Sequence, residues 1–356
     1  MTWHQGFGCL GLFSVTAWGV VTGLWGPTPV AAQPLRFAQS GDEVPPRVDR
    51  IYRKGLEYLA KSQRSDGSWP DGSERSAVAG LALMAFLASG EDPNFGPYAS
   101  NVRRAVRFII SGQNRRTGYI GTSMYAHGFC TLALSEAYGT VDESGAVGTD
   151  TKFDRSIGEA LELAVRCAVT SQKKNRWKAW RYSPSDRGTA DTSVAGAVLM
   201  GLLAARNAGI EVPDESIDGA LEYFRSCTAE NGHVAYTGGL GGFGESMARS
   251  SIATLVFAIG KKQKWPQYQW TLKYISDNLD HTSQSHPFYY RYYAAQALFQ
   301  GSPPAWQQWN QALIDELADR QASDGSIRSQ MGKSYGTSMS LLALALNYKY
   351  LPIYER

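Results

Sequence analysis

The chain has 356 residues, of which 43% are hydrophobic and 19% charged. That apolar fraction is ample for a sizeable core and excludes intrinsic disorder as the general state. Lys and Arg number 35 against 32 Asp and Glu, a net charge of +3. With no clustered basic run, the electrostatic footprint of nucleic-acid binding is missing, and no nucleic-acid partner is expected.

The first 35 residues hold no Lys, Arg, Asp or Glu. Phe7 to Trp25 is a run of apolar and small residues, followed by Gly26-Pro27-Thr28-Pro29 and Val30-Ala31-Ala32-Gln33. Val30 and Ala32 fit a signal-peptidase site, so residues 1–32 read as a signal peptide. The run also approaches the ~20-residue spanning length, which makes a retained anchor over residues 7–27 the competing expectation. Either one exports the body of the protein, to the periplasm or the extracellular space. Residues 33–47 are polar and Pro-containing and read as a linker. Beyond the signal stand Cys130, Cys167 and Cys227, an odd number in apolar, helix-like surroundings. They are expected to pack as small hydrophobes.

From Val48 onward one unit recurs with a period of roughly 40 to 60 residues, each copy an amphipathic helix, a turn and a more apolar helix. In the first unit Val48, Ile51, Tyr52, Leu56 and Leu59 fall at helical spacing, with Arg50, Arg53, Glu57 and Lys61 opposite. The turn Gln63-Arg64-Ser65-Asp66-Gly67-Ser68-Trp69 follows, then the apolar run Ala77 to Ala88. The second unit pairs Val102–Ile110 with Tyr125–Tyr138, and the third Ile157–Val169 with Thr192–Asn207. The fourth pairs Ile217–Cys227 with Ala248–Ile259 across a glycine-rich turn, Gly232 to Gly244. The fifth pairs Trp270–Leu279 with Tyr289–Phe299, and the last Trp309–Asp319 with Tyr335–Tyr348. A helix without a polar face must be buried on all sides. An open solenoid would leave one such face in water, whereas a closed ring turns these helices into inner staves. The expected fold is all-α, a six-hairpin α/α-toroid over residues 48–356.

The first turn, with its lead-in from Lys54, resembles the QW repeat of squalene cyclases. Gln321-Ala322-Ser323-Asp324-Gly325-Ser326 repeats it, with Ile327 in place of Trp. The chain from Val48 onward is similar to the prenyltransferase/squalene-oxidase-repeat superfamily, and most to its exported single-toroid bacterial members. Tyr125-Ala126-His127-Gly128, Asp191-Thr192-Ser193-Val194 and Tyr289-Tyr290-Arg291-Tyr292-Tyr293-Ala294 carry the same likeness. The resemblance implies a toroid and a central cavity for an apolar or isoprenoid-like ligand. It does not carry over the chemistry of class II terpene cyclases. Asp191-Thr192 matches the end of their DXDD-Thr-Ala motif, but Ala190 takes the proton donor's place and Gly188 that of the first Asp. Gly238 to Gly244 resembles the glycine-rich stretch of prenyltransferase β subunits, yet Glu245 to Ser251 lacks the Asp-x-Cys of their zinc site. No metal and no cofactor are therefore expected.

Aligning the apolar helices puts His127, Asp191 and Arg291 at equivalent positions before inner helices. In a closed ring these starts converge on one mouth, whose free N–H groups favour anions. Asp191 and His127 are the catalytic candidates, His127 as a general acid or base near neutral pH. Arg291, Tyr125, Tyr289, Tyr292 and Tyr335 are the ligand-binding candidates. Each has a structural alternative: Asp191 as a helix cap, His127 as a packed side chain, Arg291 as a paired cation, the tyrosines as a core layer. For glycoside hydrolysis the mouth offers Asp191 and Glu245 as a carboxylate pair. The leading expectation is a toroid that binds an apolar or isoprenoid-like ligand in its central cavity, with or without transforming it. The alternative is a cell-envelope module that binds protein or glycan.

Overall fold

Two kinds of helix alternate along the chain. In the computed structural model the described residues are 44–71, 74–143, 155–238, 242, 246–280 and 285–348. The expected signal peptide or anchor lies outside them, as does the linker except residues 44–47. Among the described residues no helix is long and apolar enough to cross a membrane, and none belongs to a named β-strand.

The amphipathic helices are α1 (Pro46–Ser62), α3 (Ala99–Ser111), α5 (Ile157–Lys174), α7 (Asp214–Ser226), α9 (Pro266–Asp277) and α11 (Pro303–Arg320). The dry helices are α2 (Arg75–Leu87), α4 (Met124–Ala137), α6 (Thr192–Asn207), α8 (Met247–Ile259), α10 (Pro287–Gly301) and α12 (Lys333–Leu344). The dry helices pack in the order α2, α4, α6, α8, α10, α12, and α12 packs back on α2. The ring is closed. The wet helices form the outer layer, and α11 meets α1 to close that layer too. This is the all-α toroid expected from the pattern.

Several hydroxyl side chains in the dry helices are satisfied by their own backbone. Thr131, Thr254, Thr337 and Ser340 each donate to the carbonyl four residues earlier. Small residues set the tightest spacing. A Cβ at Gly128 would stand 2.6 Å from the Ala197 carbonyl carbon, and one at Gly201 would stand 2.8 Å from the Gly128 oxygen. Helices α4 and α6 therefore touch backbone to backbone.

The outer-to-inner turns lock the layers together. Gln63 Nε2 donates to Gly67 O within its own turn (3.1 Å) and to Asn101 O on the next outer helix (3.0 Å). Gln113 does the same with Gly118 O and Ala160 O, and Gln172 with Lys178 O and Ser216 O. Gln321 donates to Gly325 O (3.0 Å) and, across the closure, to Ile51 O (2.9 Å). One amide nitrogen thus serves a turn and a neighbouring hairpin at once. Trp69 and Trp180 fill the space beneath, their indole N–H groups donating to Leu59 O and Ala168 O of the preceding outer helix. Gly67 has a φ of 91°, and a Cβ there would stand 2.1 Å from Arg104 O. No larger residue fits where that turn meets α3.

Cys130, Cys167 and Cys227 are buried and free of disulfides. Burial raises all three thiols, Cys167 and Cys227 to about 11, so they pack as small apolar groups.

Replacing Gln321 with Ala removes both bonds of the closing clasp. The expected loss is about 2 kcal/mol, seen as a melting temperature lowered by about 3 °C. Gln311→Ala, on the exposed face of α11, serves as the control and is expected to change little. Equal melting temperatures for the two variants would show that the clasp does not hold the ring.

Candidate functional site

Every hairpin runs outer helix first, so the inner helices all start at the same end of the ring. Their N-cap residues are Glu74, Ser123, Asp191, Ser246, His286 and Gly332. A pocket of about 650 Å³ opens there. Glu74, Ser123, Ser246 and His286 line it from the cap positions. Tyr125, Tyr289 and Tyr335 line it from the first turns of α4, α10 and α12, and Ser193 from α6. Its volume is within the ~300–1,000 Å³ usual for ligand sites.

Two further tyrosines arrive from the long turns of the third and fourth hairpins. Tyr182 O accepts a bond from Met124 N at the start of α4 (2.8 Å). Tyr236 O accepts from Thr192 N at the start of α6 (3.0 Å). Each turn leans back over the preceding inner helix, which carries its tyrosine to the mouth. The two hydroxyls lie 3.2 Å apart. Arg249 packs beside them, its Nε donating to Val234 O (2.7 Å) and its guanidinium 6.0 Å from the centre of the Tyr236 ring. Burial, reinforced by the Asp191 carboxylate, raises the Tyr236 hydroxyl well above an ordinary phenol. It is a neutral hydrogen-bonding group, not a base. Sequence reasoning missed Tyr182, Tyr236, Arg249, Glu74 and His286. Only the aromatic content of the third hairpin's long turn, with Trp177, Trp180 and Tyr182, hinted at the first of them.

Asp191 caps α6, with Oδ1 accepting from Ser193 N (2.8 Å) and Val194 N (3.1 Å). The residue is fully buried, and Oδ2 has no hydrogen-bond partner. It stands behind the mouth, acting electrostatically on Tyr236, Arg249 and Tyr289. Tyr289 donates to Ser193 O (3.0 Å).

Three expected site residues lie elsewhere. His127 is four residues inside α4 rather than before it, and fully buried. Its Nδ1 accepts from Ile120 N (3.2 Å), and its Nε2 lies 3.1 Å from Ala164 O, which fixes the Nε2–H tautomer. Both nitrogens are spent on tying the second turn to α5, so the ring offers nothing to a substrate. Arg291, 2% exposed, points outward and pairs with Glu316 of α11 (2.5 Å). Tyr292, 1% exposed, lies under the mouth. The equivalence of His127, Asp191 and Arg291 fails because the first and third stand about one helical turn deeper than the cap. The cap positions in their helices are Ser123 and His286.

The expected open barrel is also filled. Tyr125 and Tyr289, from opposite staves α4 and α10, meet across the axis with ring centres 5.5 Å apart. Below them Phe129 and Tyr292 meet at 5.9 Å, and Tyr293 packs on both Tyr289 and Tyr292. Phe129, Tyr292 and Tyr293 are at most 1% exposed, so no water-sized void adjoins them. The pocket is a mouth above an aromatic plug. Glu245, the other expected carboxylate, lies outside the described residues, and among the described residues no cluster of His, Cys, Asp and Glu is set to hold a metal.

Fold and mouth together define an α/α-toroid protein with its candidate site at the starts of the inner helices. The chain belongs to the family described as a domain of unknown function, DUF6288, which matches residues 48–350. No curated protein matches it. Among solved structures it is similar to the GH76A α-1,6-mannanase from Salegentibacter sp. HEL1_6, at 8% identity and a TM-score of 0.62, covering 84% of this chain and 98% of that one. An inactive variant of that mannanase in complex with α-1,6-mannotriose matches at 10% identity and a TM-score of 0.62, covering 84% and 99%. The type II terpene cyclase MstE from Scytonema matches at 12% identity and a TM-score of 0.57, covering 86% and 99%. At these identities the likeness is one of fold.

Burial holds the His127 pKa at about 4 in the folded protein, against about 6.5 when unfolded. The unfolded chain therefore binds the extra proton first as pH falls. This contribution is complete above pH 6.5 and is lost as pH drops toward 4, amounting to about 3 kcal/mol. Urea unfolding at pH 7 and pH 4.5 should show a smaller acid loss in His127→Gln than in the parent. Equal losses would contradict a buried, neutral His127.

Proposed function

We propose that the protein binds a hydroxyl-rich ligand, a short glycan segment, in the mouth of the ring. The observation that carries this reading is the wall of Tyr125, Tyr182, Tyr236, Tyr289 and Tyr335 around polar Glu74, Ser123, Ser193, Ser246 and Arg249. Tyrosine rings offer flat apolar faces with a hydroxyl at the edge, which suits sugar rings: the C–H face stacks and the hydroxyls bond. The aromatic plug supports the same choice, since an isoprenoid tail needs a deep apolar channel. The mannanase likeness agrees with a sugar in a toroid mouth, and the terpene-cyclase likeness keeps common ancestry with squalene-cyclase-like toroids as part of the proposal. An exported chain would meet such a ligand in the cell envelope or outside the cell.

Tyr182 is the informative position, because it lines the mouth yet is 48% exposed. Titration calorimetry with neutral trisaccharides (mannotriose, maltotriose, cellotriose) should find at least one that binds. Tyr182→Ala should weaken that one about tenfold, the value of one good aromatic platform, with an almost unchanged melting temperature. If no trisaccharide binds and native mass spectrometry finds a retained polyprenyl lipid, the glycan reading is wrong.

A further inference from the structure

The mouth does not end at its rim. A second depression, of about 540 Å³, runs over the starts of α10 and α12, where Phe288, Arg320, Arg328 and Gln330 line it. It shares Ser285, His286, Tyr289, Met331 and Tyr335 with the mouth. The two are one trough with a side arm.

The charge of this arm is one-sided. Among the described residues no carboxylate lines it. Arg328 is exposed and forms no ion pair among the described residues. Arg320 (2.8 Å) and the buried Arg291 (2.5 Å) both rest on Glu316 Oε1. Arg291 stacks against Phe288 in the lining, 5.4 Å from the ring centre, and its Nε and Nη1 have no partner. Arg291 and Arg320 therefore share one carboxylate, which stands outside the lining, while Arg328 in the lining has none among the described residues. Neighbouring Lys333 is neutralised by Asp324 (2.9 Å). Asp280, which acts on Tyr290 of α10, stands outside the lining. Across the trough Glu74 is the one lining carboxylate among the described residues, on the mouth side. The potential thus rises from the mouth toward the arm.

We infer that the arm receives an anionic substituent, a carboxylate or sulfate, carried by the glycan in the mouth. The inference rests on the glycan reading above and narrows it to acidic sugars. Guanidinium groups suit this task because their fixed fork matches a carboxylate or sulfate with two parallel hydrogen bonds. Salt screens an exposed pair, so the preference should fade at high ionic strength.

The test uses the full chain and three probes: trigalacturonate, its neutral methyl ester, and inorganic sulfate. Calorimetry at low salt should show trigalacturonate binding about tenfold more tightly than the ester. The ratio should fall to about one in Arg328→Ala and recover partly in Arg328→Lys. Equal affinities for acid and ester in the parent protein overturn the inference and leave the glycan reading standing. Sulfate binding as tightly as trigalacturonate also overturns it, by showing a free-anion site. If neither sugar binds, the inference falls; the glycan reading falls with it only if the neutral trisaccharides also fail to bind.

Discussion

Six helices without a polar face must all be buried at once, and this constraint governs the molecule. A straight stack would leave one side of each in water. Bending the row until α12 meets α2 removes that exposure, and the amphipathic helices then complete the shielding from outside. Because every hairpin starts with its outer helix, closure also gathers six inner-helix starts at one end. The mouth follows from connectivity and hydrophobic pattern before any residue there is chosen.

Backbone contacts fix the register that closure needs. The glutamine clasps tie α1 to α3, α3 to α5, α5 to α7 and α11 to α1. At the α7–α9 step another device appears, with Gly232 at a φ of 82° and too close to Trp270 O for a Cβ. The third hairpin keeps its clasp while lengthening its turn, and the fourth replaces it. Those two turns are the ones that bring Tyr182 and Tyr236 over the mouth. Structural regularity is thus relaxed where the two turns supply residues to the candidate site, the kind of place where a fold departs from its own pattern.

Much of the fold could be read from the sequence because helical periodicity reports burial directly. The expected apolar runs match the inner helices. The site was harder to read. Tyr125, Tyr289 and Tyr335 were found because they stand in the first turn of their helices. His127 and Arg291 were misplaced by about one turn, a shift that periodicity alone does not register, since residues four apart share a face. Tyr182, Tyr236 and Arg249 reach the mouth through turn geometry and contacts between hairpins, which no single-chain pattern encodes. The filled barrel was only the alternative expectation, with the tyrosines as a core layer, for a related reason. Apolar inner faces are equally consistent with a channel and with a plug, and only the meeting of Tyr125 with Tyr289 across the axis decides between them.

That closed interior separates a mouth-binding toroid from a channel-binding one. Diffraction from crystals pressurised with xenon tests it most directly, because xenon enters dry apolar cavities. The account predicts no xenon on the ring axis between the Tyr125–Tyr289 layer and the Phe129–Tyr292 layer. An ordered xenon atom there would reveal a hidden apolar channel and contradict the plug.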